Sequence, residues 1–143
     1  MKHDFGHLVC SLLNRVFDHR EIVNCERQIY LTRWYLLRTK PLAVFLHWFR
    51  RSDEDRVLHD HPWPFITLIL WRGYFEHCRD GTIRRRWPLT AHYRPAEWRH
   101  RVELIGGRKA VTIVIRFRER RVWGFWEKSG FIAWNKWWQK NCE

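Results

Sequence analysis

The pattern of apolar and polar positions changes once along the chain, from a helical period to a strand period. Near the start, apolar residues recur at intervals of three and four, which places them on one side of an α-helix. These positions are Phe5, Leu8, Val9, Leu12, Leu13, Val16 and Phe17. The spacing predicts an amphipathic helix over about 4–18, with Asp4 as its N-cap.

From residue 29 onward, short apolar segments separated by turn residues predict β-strands. Two turn signals, Asp80-Gly81 and Gly106-Gly107, are typical of tight connections between antiparallel strands. The predicted strands span 29–37, 43–49, 65–71, 74–78, 82–87, 90–93, 101–105, 110–117 and 122–126. An aromatic segment at 131–138 is expected to cover one end of the fold. Many short strands with little helix indicate a sandwich or barrel, jelly rolls included.

Length and composition are those of one domain. A chain of 143 residues with 45% hydrophobic residues can bury a sizeable core. We therefore expect one domain over 1–143, with the helix at 4–18, a barrel at about 29–127 and an aromatic tail at 128–143. No apolar run approaches the roughly 18–20 residues that cross a bilayer, and no secretory signal follows Met1. These features favour a cytoplasmic protein with no membrane partner.

The four cysteines, Cys10, Cys25, Cys78 and Cys142, are far apart in the sequence. No Cys-x-x-Cys pair occurs, which argues against a structural zinc ribbon. In a reducing compartment such cysteines stay as thiols. We therefore expect all four to be reduced.

The net charge of +12 favours an anionic partner. Most of it comes from arginine, which pairs with carboxylates and phosphates and stacks on aromatic rings, and the chain has 11 Trp to stack on. The partner is then a small phosphorylated or carboxylated molecule, or nucleic acid. The longest basic run, 84–86, is expected to alternate between the two faces of a strand, which is typical of a solvated rim.

Three histidines carry the strongest indication of chemistry. His59 and His61 flank Asp60, so on an extended strand both point to the same side. His100, from a later segment, could complete one face of a metal site. Neutral imidazole is a common ligand for iron, zinc, copper and nickel, so this pattern predicts metal binding.

These residues resemble the cupin superfamily, whose small double-stranded β-helix barrels bind a metal inside. The first cupin motif has a leading glycine, His-x-His, a glutamate four or five positions later, and a closing glycine. His59, His61 and Gly73 match it, whereas Phe65 or Ile66 stands at the position of the glutamate and Asp53 at that of the leading glycine. The second motif, Pro-x-Gly-x-x-His, is matched by Pro95 and His100, with Glu97 in place of glycine. The stretch 42–126 looks like a small cupin-like family with a His-Asp-His-Pro-Trp signature.

The resemblance implies an all-β fold, a double-stranded β-helix or jelly-roll barrel with the amphipathic helix attached. It implies His59, His61 and His100 as ligands of a divalent metal ion, with Fe(II) the first choice and Mn(II), Ni(II) or Zn(II) as alternatives. Glu76 is a candidate substitute carboxylate, with a catalytic acid–base role or a surface position equally open. Cupins commonly dimerise through sheet edges, which apolar edge strands here would allow.

Further candidate residues surround this site. Glu97 is a second candidate acid or base at the mouth, with a rim ion pair as the alternative. Arg94, Arg101 and Arg116 alternate on apolar strands, where an inward arginine needs a carboxylate or a bound anion. They are therefore candidate substrate anchors, and Trp63, at a strand corner, is a candidate substrate contact.

The sequence and the resemblance together favour a metal-binding cupin that acts on a small anionic molecule. Oxygenation, as in a non-haem dioxygenase, is the first expectation, because open metal positions let a substrate and dioxygen meet. Isomerisation through an enediolate is the second, with Glu76 or Glu97 moving the proton. The alternatives are a non-catalytic cupin that sequesters or senses its ligand and, third, a nucleic-acid-binding protein.

Overall fold

The structure, a computed structural model, describes residues 5–53 and 57–143. The predicted N-cap Asp4 lies outside the described residues. The helices are α1 (Phe5–Val16) and α2 (Trp134–Cys142), and a 3₁₀ turn spans Ile105–Gly107. The strands are β1 (His19–Val23), β2 (Ile29–Arg38), β3 (Ala43–Phe49), β4 (Leu58–His59), β5 (Phe65–Trp71), β6 (Tyr74–Cys78), β7 (Ile83–Arg86), β8 (Ala91–Arg94), β9 (His100–Leu104), β10 (Ala110–Arg116), β11 (Gly124–Glu127) and β12 (Gly130–Ala133).

The described strands form two antiparallel sheets of six strands each. The first sheet has the order β1-β2-β3-β10-β5-β8, and the second has the order β12-β11-β4-β9-β6-β7. Strands distant in sequence are neighbours in both sheets, as β3 and β10 are in the first and β4 and β9 in the second. This arrangement confirms the predicted all-β jelly roll.

The core lies between the sheets because their inner faces carry the apolar residues. In β3 and β10 every second residue is buried, as expected for strands with one face on a core. One cluster of buried side chains joins Leu31, Phe49 and Ile69 of the first sheet to Val102 and Leu104 of the second. Removing this apolar surface from water is the main stabilising contribution to the barrel.

The turn between β5 and β6 requires Gly73, the residue that matches the closing glycine of the first motif. Its φ is +76°, a left-handed conformation that glycine adopts at little cost. A Cβ at this position would lie 2.0 Å from the carbonyl oxygen of Arg86. Both conditions exclude a side chain, so the match at Gly73 reflects close packing of β6 and β7.

The predicted amphipathic helix is present as α1, but only part of its apolar stripe is covered. Val9 and Leu13 line a hollow that Trp34 of β2 also lines, and the Trp34 Nε1–H donates a hydrogen bond of 2.7 Å to Asn14 Oδ1. Leu8 and Leu12, on the other edge of the stripe, are 59% and 54% exposed. The helix therefore attaches to the barrel through a narrow seam.

Elements near both ends of the described chain are present that the apolar pattern does not predict. β1 is an edge strand whose residues are exposed apart from a half-buried Ile22, so it has no apolar alternation to detect. The segment interpreted as an aromatic tail contains β12 and the helix α2, and Trp137 of α2 is buried against Phe125 of β11 with ring centroids 4.0 Å apart. The sheets therefore extend beyond 29–127 on both sides.

The expectation that all cysteines are reduced is wrong for Cys25 and Cys142, which form a disulfide. Cys25 lies in the turn between β1 and β2, and Cys142 is the last residue of α2. Their Cα atoms are 4.7 Å apart, although 117 residues separate them in the sequence. Proximity over such a distance depends on the complete fold and leaves no local signal in the sequence.

Asp60 links the segment that carries His59 and His61 to β11 through hydrogen bonds. Its side chain is fully buried and accepts hydrogen bonds from Arg121 Nη1 at 2.6 Å, Gly124 N at 2.9 Å and Trp126 Nε1 at 2.8 Å. Its ion-pair partner Arg121 lies 61 residues away in the sequence.

Asp60→Asn is expected to lower the free energy of unfolding by about 2–3 kcal/mol, because Arg121 loses its buried counter-ion and one carboxylate acceptor becomes an amide donor. Urea denaturation of the variant measures this loss. Asp80→Asn is the matched control, since Asp80 lies on an exposed turn. Equal midpoints for wild type and Asp60→Asn would contradict the assigned role.

Candidate metal centre and its cavity

Two neighbouring strands bring the three histidines of the predicted site together. His59 of β4 and His100 of β9 are cross-strand partners, with ring centroids 4.9 Å apart. Backbone hydrogen bonds from Asp60 N to Gly124 O and from His61 N to Ala96 O continue the extended chain past β4. Asp60 therefore points away while His61 returns to the face of His59, as period-2 alternation requires.

The nitrogen positions suit a shared metal ion. One nitrogen from each ring lies within 4.8 Å of the other two, and His61 Nε2 is 2.9 Å from His100 Nε2. Two imidazole nitrogens bound at 2.0–2.1 Å to one ion lie about 2.8–3.0 Å apart at a right angle and about 3.3–3.4 Å apart in a tetrahedron. The observed separation fits the right-angled arrangement, and three nitrogen donors suit a first-row divalent metal.

A buried carboxylate fixes the orientation of His100. Glu76 of β6 is 1% exposed, and its Oε1 accepts a hydrogen bond of 2.8 Å from His100 Nδ1. A carboxylate only accepts, so Nδ1 carries the proton and Nε2 presents its lone pair toward His61. Carboxylate–histidine pairs of this kind orient metal ligands and raise their basicity. Glu76 thus lies behind a ligand and does not contribute an oxygen to the cavity.

Three side chains besides His100 donate to the Glu76 carboxylate. Arg86 Nε and Arg94 Nη2 each donate to Oε2 at 2.6 Å, and Trp98 Nε1 donates to Oε1 at 3.0 Å. Burial alone would raise the pKa of Glu76, but the hydrogen bonds from His100 and Arg94 outweigh it and hold the pKa well below its usual range. Glu76 is therefore a fixed anion with no proton to transfer.

A second carboxylate stands behind His59, and sequence reasoning missed it. Asp53 Oδ2 lies 3.7 Å from His59 Nδ1 and accepts a hydrogen bond of 2.6 Å from Val102 N. Its other oxygen accepts a hydrogen bond from the hydroxyl of Tyr30. Asp53 occupies the motif position of the leading glycine, and the signal that could have identified it is a carboxylate six residues before a ligand.

Burial keeps two of the three rings in the form that binds metal. It lowers the pKa of His59 to about 4, against the opposing effect of Asp53. It lowers the pKa of His61 well below the usual value, with a further contribution from the neighbouring His59. Both imidazoles are neutral near pH 7, so their lone pairs are available.

The histidines line a cavity of about 340 Å³ between the two sheets. His61 is held there between Trp63, stacked on it at 5.2 Å, and Phe65, whose ring centroid is 4.5 Å away. Phe65 is one of the two residues, with Ile66, that stand where the motif has its glutamate. Within the described part of the chain no Asp or Glu side chain lines this cavity.

The candidate substrate anchors named from the sequence lie elsewhere. Arg94 is committed to Glu76, and Arg101 lies beside His77 at 3.0 Å on the outer face of the second sheet. Arg116 donates to two backbone carbonyls of the β2–β3 turn. Glu97 is exposed and lines a separate surface hollow. Of these residues, only Trp63 lies in the cavity with the histidines.

A smaller hollow of about 170 Å³ adjoins the histidine cavity on the side of His59. Both are lined by Ile22, Tyr30, His59 and Trp123. The smaller one is also lined by three tryptophans of α2, Trp134, Trp137 and Trp138, and by the disulfide residue Cys25. The C-terminal helix therefore forms one wall of the approach to the candidate metal centre.

No protein-family model and no curated protein sequence matches this chain. Solved structures do match its fold. A protein described as a mannose-6-phosphate isomerase homologue of Ralstonia eutropha is 21% identical, with a TM-score of 0.56 over 62% of this chain and 84% of that one. KdgF from Halomonas is 20% identical, with a TM-score of 0.56 over 75% of this chain and 93% of that one. The iron(II) form of HppE is 14% identical, with a TM-score of 0.60 over 71% of this chain and 56% of that one.

These likenesses show the fold: the chain has the cupin barrel fold, as the resemblance in its motifs predicted. The barrel holds a cluster of three histidines, His59, His61 and His100, between its sheets. Within the described residues no helix is long and apolar enough to cross a membrane.

Proposed function

We propose that the chain is a metal-binding cupin that acts on a small anionic molecule. His59, His61 and His100 would hold one divalent metal ion. The observation that carries the proposal is the cluster of one nitrogen from each of the three rings within 4.8 Å, inside a cavity, with the tautomer of His100 fixed by Glu76. The ionised carboxylate behind His100 supports this, because metal-ligating histidines almost always donate their other ring N–H to such a partner.

Iron(II) is the first choice of metal, and manganese, nickel and zinc remain alternatives. A three-histidine site leaves open positions at which the ion can bind a chelating substrate and dioxygen. HppE, one of the solved structures with this fold, was determined in its iron(II) form. The protein's own part is to hold the ligands, shape the pocket with Trp63 and Phe65, and exclude bulk water.

Oxygenation fits the cavity better than isomerisation does. An enediolate mechanism needs a residue that moves a proton beside the substrate. The two glutamates considered for that role are a fixed anion behind His100 and an exposed residue of another hollow. Tyr74 does line the cavity, but burial, followed by the charge of Glu76, raises its pKa well above the usual value.

A non-catalytic ligand-binding cupin is the second candidate. It is favoured by Phe65, which puts an apolar ring where the first motif usually supplies a ligand carboxylate. Oxygen uptake separates the two candidates. Iron(II)-loaded protein is incubated with a panel of small organic acids. If it binds one of them but consumes oxygen with none, it is a non-catalytic binding protein.

The metal site is tested by elemental analysis of tag-free protein after anaerobic loading with Fe(II) or Zn(II) and desalting. We expect about one metal ion per chain in the wild type and less than about a tenth of that in the His59→Ala/His61→Ala double variant, because one remaining imidazole cannot retain the ion. His19→Ala, which removes an exposed histidine of β1, should keep the wild-type content.

Circular dichroism of each variant separates loss of ligands from loss of fold. Stoichiometric metal in both His59→Ala and His100→Ala single variants would refute the three-histidine site. Absence of metal from the wild type after loading would refute metal binding altogether.

A further inference from the structure

Three polar side chains cross the first sheet in one row and face the same cavity as the histidines. Arg33 of β2 is the register partner of His47 of β3, and His47 is the register partner of Thr112 of β10. All three line the cavity, whereas the candidate metal ligands come from β4, β9 and the chain after β4. The row therefore forms a polar wall on one sheet, and the histidine cluster lies on the other.

Arg33 carries an uncompensated positive charge into this wall. Its Nε donates a hydrogen bond of 2.9 Å to His47 Nε2, and its guanidinium lies 4.6 Å from the ring centroid of Phe45. Among the residues that the structure describes, no carboxylate forms an ion pair with it. Arg33 is half-buried, and a cation held partly out of water without a counter-ion is costly; a bound anion lowers that cost.

His47 adds a neutral donor to the wall. Its Nε2 accepts from Arg33, so the neutral ring carries its proton on Nδ1. Burial, with a smaller effect of Arg33, lowers the pKa of His47 well below the usual value and keeps the ring uncharged.

Thr112 adds a hydroxyl that has no partner in the described structure. The residue is 0% exposed, and its Oγ1 forms no hydrogen bond with any described residue. A buried hydroxyl left unpaired costs roughly 1–3 kcal/mol in general, so such groups usually bond to a protein group, a water or a ligand.

We propose that Arg33, His47 and Thr112 form the carboxylate-binding subsite of this cavity, so that the ligand is a small organic acid. The carboxylate of the ligand lies on this wall, and this part does not depend on the proposed function. The other end of the ligand faces His59, His61 and His100, and this part rests on the proposed function. One full cation with two neutral donors balances a single negative charge, which favours a carboxylate over a doubly charged phosphate.

Calorimetric titration with malonate, succinate and glutarate tests the subsite, on metal-free and on Zn(II)-loaded protein. We expect at least one of the three diacids to bind, and its uncharged diamide not to bind. Arg33→Met should weaken the diacid about 10- to 100-fold, the usual effect of losing a charge-assisted hydrogen bond. Arg85→Met, which removes an exposed arginine stacked on Trp87, should stay within about twofold of the wild type.

Thr112→Val gives a second test that does not depend on a change of charge. Valine has nearly the shape of threonine and removes the unpaired hydroxyl. We expect it to raise Tm by a few degrees, on the order of 2–4 °C, while weakening the diacid several-fold. Stability and binding should therefore change in opposite directions, which a purely structural role of Thr112 does not produce.

The outcomes of these titrations separate the subsite from the metal site. Diacid affinity unchanged in both Arg33→Met and Thr112→Val overturns the subsite whether or not metal binds, as does failure of all three diacids to bind. Inorganic phosphate that binds more tightly than every diacid, and loses affinity in Arg33→Met, overturns the carboxylate assignment. Binding that depends on Arg33 in a protein that takes up no metal upholds the subsite and refutes the metal proposal.

Discussion

Glu76→Gln is expected to lower the free energy of unfolding by about 3–5 kcal/mol, the usual cost of removing one member of a buried ion-pair cluster. The carboxylate is the common partner of Arg86 Nη2 at 2.5 Å and Arg94 Nη2 at 2.6 Å, and both arginines are 9% exposed. A neutral amide leaves two buried guanidinium groups without an anion. For a domain of this size the loss corresponds to a Tm lower by about 10–15 °C, measured by calorimetry.

The same variant should bind metal about 10- to 100-fold more weakly, because His100 loses the anion that fixes its tautomer and raises its basicity. Competition with a chromophoric zinc chelator measures this change. Glu103→Gln is the matched control, since that carboxylate also pairs with a histidine, His77, but on the outer face and half-exposed. A Glu76→Gln protein with the stability and zinc affinity of wild type would remove Glu76 from both roles.

Loss of the Cys25–Cys142 disulfide is the second change with a large expected effect. Closing a loop across 117 residues restricts the unfolded chain by about 4–5 kcal/mol in the chain-entropy account. The Cys25→Ser/Cys142→Ser double variant should therefore unfold at a much lower urea concentration than the oxidised wild type. Reduced wild type should unfold at the same point as the variant.

The effect should be largest at α2, which has nine residues and is too short to be stable without its packing. Backbone amides of α2 are expected to exchange with solvent faster in the variant than in the wild type, whereas those of β3 and β10 keep their protection relative to global unfolding. A thiol titration of denatured protein should find two reactive thiols. Four thiols, together with an unfolding midpoint that reductant does not change, would contradict the disulfide.

The part of the fold that could be predicted is the part specified by local periodicity. The helical period of α1 is one example, and the short apolar runs of β3, β5 and β10 between turn residues are another. The extended spacing of His59 and His61 likewise placed both rings on one face before their neighbours were known. β1 escaped prediction because it is a polar edge strand, and α2 because its aromatic residues are also typical of an irregular tail.

The chemistry around the histidines depends on contacts that no local pattern contains. An arginine that faces inward was expected to pair with a carboxylate or an anion. Arg94 does so, and its partner is Glu76, 18 residues earlier. Arg33 also faces inward, but no carboxylate in the described chain pairs with it. Only the assembled barrel distinguishes Arg33 from the other arginines. Register between β2, β3 and β10, set by the whole sheet, decides which of them faces the cavity.

The high arginine content also has a partly structural explanation. Arg72 lies over Trp71 at 4.0 Å, Arg85 over Trp87 at 3.8 Å, and Arg99 against the ring of Trp126. Stacking of this kind is favourable at the surface without any external partner. Because some arginines are explained by stacking, the net charge supports nucleic-acid binding less strongly than the sequence alone suggested.

The stacking of Trp63 on His61 at 5.2 Å gives the protein an internal optical reporter. Indole emission is quenched through short-range electron and energy transfer, which is efficient toward an open-shell ion and weak toward zinc. Only the imidazole of His61 would separate the emitting ring from a metal held at the cluster. The emission decay of the Trp63→Phe protein, subtracted from that of the wild type at equal concentration, would follow filling of the centre and distinguish iron from zinc without any added label.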